Sequence, residues 1–113
     1  MEIPGGCVDK EDKDLEAAVA RELKEETGYV FSSFEYLGKT SANPSTNSNL
    51  MHFFLATGGR KIADQQLDHN EAIEVHLLDL NEVKELLRSN QILQSMHATA
   101  LFYGLARLGH IEI

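Results

Sequence analysis

The sequence predicts a single mixed α/β domain of the α+β class, covering residues 1–113, and three observations carry that prediction. Apolar residues recur at helical spacing near the start of the chain and again near its end. Between these two stretches lie short runs rich in aromatic and β-branched residues, separated by glycines and polar loops. The length, 113 residues, suits one domain, and a hydrophobic fraction of 42% is enough for one modest core. Helix, then strands, then helices make a layered sandwich.

Each element has a local reason. Pro4-Gly5-Gly6 is a turn signal close to the start, followed by a charged loop. Leu15, Ala18, Val19 and Leu23 mark one face of a helix over residues 14–27. Asp14 is placed to cap it and Gly28 to end it. Residues 29–34 read as extended, and residues 36–40 as a second strand. Residues 41–49 form a polar loop containing Pro44. Residues 50–57 are strongly apolar, as in a central strand, which Gly58-Gly59 ends. A second polar loop, residues 61–70, turns acidic at its end. Residues 71–78 read as another strand, with Ile73, Val75 and Leu77 on one face. Asp79 or Asn81 caps a helix running to about Arg88. The last helix, residues 95–108, carries Leu101, Leu105 and Leu108 on one side, and Gly109 stops it. Phe53, Phe54, Phe102 and Tyr103 are assigned to the core.

Charge narrows the function. Ten Lys and Arg face eighteen Asp and Glu, a formal net charge of −8. A nucleic-acid backbone or an anionic membrane would be repelled as a direct partner. A phosphate substrate is not excluded, because bound cations invert the local sign. The lone cysteine, Cys7, allows no intrachain disulfide and suits a reducing compartment; it reads as a small, half-buried loop residue. No apolar run has the length of a membrane span, and the first residues lack the basic start and apolar stretch of a signal peptide. A soluble, cytoplasmic protein is expected.

The chemistry concentrates in Arg21-Glu22-Leu23-Lys24-Glu25-Glu26-Thr27-Gly28. Residues three and four apart share a helix face, so Glu22 neighbours both Glu25 and Glu26, and like charges there cost a few tenths of a kcal/mol per pair. Lys24 points elsewhere. The acids also sit in the C-terminal half of the helix, where the macrodipole disfavours negative charge. Carboxylates converging at such a cost suit a hard, oxygen-seeking cation such as magnesium or manganese; the alternative is a solvated acidic face. Arg21 is placed to orient a carboxylate or to hold a phosphate.

These residues resemble the Nudix hydrolase signature, which ends Arg-Glu-U-x-Glu-Glu-x-Gly-U, where U is bulky and apolar. Arg21, Glu22, Leu23, Glu25, Glu26, Gly28 and Tyr29 fill it in order, and Glu2-Ile3-Pro4-Gly5-Gly6 resembles the run that leads into it. The first half departs from the pattern. The signature's earlier glutamate falls on Lys13 and its glycine on Cys7; with Gly6 as that glycine, the loop holds one extra residue. Asp12 or Glu11 then supplies the missing acid.

The resemblance implies a Nudix-like α/β/α sandwich with a mixed sheet, lacking the strands that usually precede the glycine turn. It implies Glu22 and Glu26 as the main ligands of Mg2+ or Mn2+. Glu25 would be a third ligand or hold a bridging water, the Gly5 carbonyl a backbone ligand, and Arg21 the maker of an ion pair with a signature carboxylate. The general base of such enzymes often lies in a later loop. Residues 68–76 resemble the corresponding stretch of ADP-ribose pyrophosphatases and nucleoside-diphosphate-sugar hydrolases, with Glu71 the first choice for the base and Glu74 the second. His69 and His76 read as surface residues. Residues 41–49 lie where such members carry a proline-bearing substrate loop. The implied activity is metal-dependent hydrolysis of the pyrophosphate bond in ADP-ribose or a nucleotide sugar. The absent early strands point to a truncated or minimal form completed as a homodimer. Two other readings stand beside it: a catalytically weak nucleotide-binding or regulatory module, and an interaction protein with a merely solvated acidic helix.

Overall fold

The computed structural model describes residues 1–6, 10–41, 50–67 and 72–113. In chain order the elements are α1 (Leu15–Thr27), β1 (Tyr29–Val30), β2 (Ser33–Ser41), β3 (Leu50–Thr57), β4 (Arg60–Lys61), α2 (Leu80–Arg88) and α3 (Ser95–Arg107). The α+β class is as expected. The mixed sheet implied by the resemblance is represented, among the described residues, by two two-stranded sheets, β1–β4 and β2–β3. The chain divides into two compact units. One comprises Met1–Ile3, Tyr36–Leu55 and Leu77–Ile113, and the other Pro4–Glu35 and Ala56–His76.

The second of these units is organised around α1. The Asp14 side chain accepts a hydrogen bond from the Ala17 N–H at 2.8 Å, satisfying one of the donors that open any helix. The helix stops at Gly28, which takes the left-handed conformation (φ 77) and donates its N–H to the Lys24 carbonyl at 2.8 Å. β1 follows at once and pairs antiparallel with β4, Tyr29 opposite Lys61 and Val30 opposite Arg60. The expected strand over residues 29–34 is therefore broken. Ser32 bends away, giving its N–H and its hydroxyl to the Thr57 carbonyl, and β2 starts at Ser33. β4 falls where only a polar loop was read, because two charged residues carry no strand signal of their own.

In the other unit, Phe53, Ile92, Ala100 and Leu105 are buried. Burial of a leucine such as Leu105 contributes about 2 kcal/mol. A capping box starts α2: Asp79 accepts from the Glu82 N–H while the Glu82 carboxylate accepts from the Asp79 N–H. This settles the cap on Asp79 rather than Asn81. The Ile3 N–H donates to His97 Nδ1 at 3.2 Å, tying the first residues to α3.

Two expectations are corrected. Residues 72–79 form neither helix nor strand, and Leu77 is 74% exposed. A strand is defined by its hydrogen-bonded neighbour, and no described strand pairs with this stretch, whatever its alternation. Phe102 and Tyr103 are about half exposed, as is Leu108. α3 is apolar nearly all round, but a helix buries one stripe, here the side of Ala100 and Leu105. Tyr103 keeps a tilted ring contact with the buried Phe53 at 6.3 Å between centroids.

Gly28 has a further constraint: a Cβ there would lie 2.0 Å from the Ala63 carbonyl oxygen. Gly28→Ala is expected to lower stability by about 2 kcal/mol, combining left-handed strain with displacement of that carbonyl. Urea denaturation followed by circular dichroism measures it; an unchanged midpoint would refute the clash.

Candidate functional site

Arg21 holds the glutamate face of α1. Arg21 lies near the middle of the helix and its guanidinium meets three carboxylates. Nε and Nη2 donate to Asp12 Oδ1 and Oδ2 at 2.9 and 3.0 Å, a two-pronged pair with the loop before the helix. Nη1 donates to Glu22 Oε1 at 3.0 Å and to Glu25 Oε2 at 3.2 Å. The Asp12 side chain is only 6% exposed, Glu22 18% and Glu25 39%. Between Asp12 and Glu11, the acid engaged with Arg21 is Asp12; Glu11 is exposed.

The glycine turn sits against the same face. The Gly5 N–H donates to Glu26 Oε2 at 3.0 Å. Gly6 packs so closely on Glu22 that an added Cβ would fall 2.2 Å from Glu22 Cδ. A side chain at this position would have to displace the Glu22 carboxylate. Gly5, Gly6, Asp12, Arg21, Glu22, Glu25 and Glu26 are thus brought together. The contact given to Gly5 runs through its N–H.

Among the described residues, no three His, Cys, Asp or Glu side chains stand together as a ready-made metal site. Glu22 and Glu25 reach to Arg21, and Glu26 to the Gly5 N–H. The donor set itself fits a hard cation, being carboxylate oxygens on one helix face with a Cβ-free turn against them.

The later candidates fare differently. Glu71, His69 and Cys7 lie outside the described residues, as does nearly all of the 41–49 loop. Glu74 is exposed, its Oε1 3.7 Å from Nε2 of the likewise exposed His76. Lys13, at the signature's glutamate position, is exposed. Sequence reading missed Gln65, whose Nε2 donates to the carbonyls of Glu26 and Ile73 at 2.6 and 3.0 Å. A glutamine in a polar loop gives no signal of such a role. Beside it the Gln66 N–H donates to the Glu25 carbonyl at 2.7 Å.

The NUDIX domain family model matches residues 1–98, and the chain belongs to that family. It is similar to a methanol dehydrogenase activator of Bacillus methanolicus, 30% identical over 104 residues, covering 91% of this chain and 56% of that protein. It is 29% identical, over the same shares, to an ADP-ribose pyrophosphatase of Bacillus subtilis (strain 168). It is 34% identical over 100 residues, 88% of this chain and 48% of the relative, to a CMP-5'-(N-acetyl-N-hydroxy-3-aminopropyl)phosphonate hydrolase of Streptomyces rubellomurinus. The chain thus spans about half the length of these curated relatives. Among the described residues no helix is long and apolar enough to cross a membrane.

Removing Asp12 leaves the Arg21 guanidinium without its two-pronged partner. Asp12→Ala is expected to cost about 2 kcal/mol, the scale of charge-assisted bonds lost from a shielded site. Glu11→Ala, at an exposed position, is expected to cost close to nothing. Paired denaturation curves check this, and equal losses would refute the assignment of Asp12 as Arg21's partner.

Proposed function

We propose that the chain is a metal-dependent Nudix pyrophosphohydrolase acting on a nucleoside diphosphate linked to another moiety, ADP-ribose or a nucleotide sugar. The observation that carries this reading is the seating of Gly5 and Gly6 against Glu22 and Glu26, on a helix whose Glu25 is held by Arg21. The similarity to a protein named ADP-ribose pyrophosphatase supports the substrate class. The class also suits an acidic chain only if cations mediate the encounter, since −8 would otherwise repel a pyrophosphate.

Glu22 and Glu26 are the main ligands in this reading, with Glu25 a third or the holder of a water, and the Gly5 backbone beside them. These carboxylates would hold Mg2+ or Mn2+, which when bound would supply charge neutralisation of the pyrophosphate and a lowered pKa for an attacking water. Arg21 fixes the rotamers of Glu22 and Glu25 and is itself fixed by Asp12. Occupying the site means exchanging Arg21 and Gly5 contacts for metal contacts. A carboxylate of the later segment, Glu71 or Glu74, takes the proton of the attacking water. A cytoplasmic setting belongs to the same reading, and so does a homodimer. The homodimer is supported by the β-prone stretch 72–79, which has no strand partner among the described residues.

A second reading, a weak nucleotide-binding or regulatory module, is favoured by one observation: the signature's earlier glutamate position holds an exposed Lys13. Phosphate release from ADP-ribose, nucleotide sugars, dNTPs and diadenosine polyphosphates with magnesium or manganese separates the two. Turnover abolished by Glu26→Gln is expected, together with a metal-induced rise in Tm that Glu22→Gln removes. Tight nucleotide binding by calorimetry without products from the folded protein would favour the module.

A further inference from the structure

We propose that Gln65 is a positioning residue of the hydrolytic site, fastening the backbone that enters Glu74 to the last turn of the glutamate helix. This rests on the hydrolase reading above. A primary carboxamide has two N–H donors, and Gln65 spends both, on the carbonyls of Glu26 and Ile73. Glu26 is the last acid of α1. Ile73 immediately precedes Glu74, in the same short segment as Glu71. One side chain therefore links the backbone of a proposed ligand to the backbone of the proposed base.

The link matters because residues 72–79 have no helix or strand to hold them. In a sheet, ladder bonds would fix the register of this stretch; here the Gln65 carboxamide does so at Ile73. Its other end is firm. The Gln66 N–H bonds the Glu25 carbonyl at 2.7 Å, so the arm springs from a chain already pinned to the helix end. The position demands two donors at that reach. Methionine has the length without donors, asparagine is one methylene short, and lysine brings three donors and a charge that a helix C-terminus favours.

A general base acts only within hydrogen-bond reach of its proton, and a displacement of about 1 Å costs on the order of 100-fold in rate. Gln65→Met is therefore expected to lower kcat by about 10- to 100-fold with KM nearly unchanged, because the loss falls on the transition state. Amide exchange at residues 72–76 should quicken. Gln65 is exposed, so Tm should hold. Gln65→Lys should recover most of kcat and of the exchange protection. Gln65→Asn repeats the comparison if methionine disturbs the fold.

The proposal is overturned if Gln65→Met keeps wild-type kcat, whatever its exchange, or if KM rises while kcat holds. It is overturned equally if Lys restores protection but not rate. Absence of turnover in the wild-type protein itself, with exchange at residues 72–76 still quickened in Gln65→Met, marks failure of the hydrolase reading instead, and the positioning role falls with it.

Discussion

The site depends on Arg21. Three acids on the C-terminal half of α1 are opposed twice, by one another and by the helix macrodipole, each term amounting to a few tenths of a kcal/mol or more. A single guanidinium reaches Glu22, Glu25 and Asp12 together. Its flat fork allows this, since two nitrogens face the loop acid while the third faces the helix acids; an ammonium offers no such division. The pair with Asp12 anchors the charge, because that carboxylate is nearly buried. The contacts to Glu22 and Glu25 are more open and individually weaker.

The helix end is arranged to the same purpose. The last turn of any helix leaves carbonyls unpaired, and their partial negative charge would add to that of Glu25 and Glu26. Here the Lys24 carbonyl receives the Gly28 N–H, the Glu25 carbonyl the Gln66 N–H, and the Glu26 carbonyl the Gln65 side chain. The segment after β4 acts as a cap of donors laid on the acidic turn. The left-handed Gly28 makes this geometry reachable: its own carbonyl receives the N–H groups of Ile62 and Ala63, drawing the chain back over the helix end.

What was legible in the sequence was local. Asp14, Gly28 and Asp79 announce their caps through chemistry that needs only a few neighbouring residues, and both long helices fall within one or two residues of expectation. The convergence of Glu22, Glu25 and Glu26 is likewise a matter of helical spacing. Pairing was not legible. The break at Ser32 follows from Thr57, distant in sequence, and β4 from its register with β1. Residues 72–79 carry an alternating pattern with no described strand to make use of it. Gln65 was invisible for the same reason, since its meaning lies in two carbonyls that folding brings to it.

This division between local and distant contacts bears on how the acidic site is held together. Gly5 and Glu26 are separated by 21 positions, Arg21 and Asp12 by 9. The acid cluster is therefore gathered by one capped helix and one glycine turn, through contacts short in sequence. The donors over the helix end come from further away, Gln65 reaching the Glu26 carbonyl across 39 positions. The acidic face and the donors that cap it therefore depend on different ranges of contact.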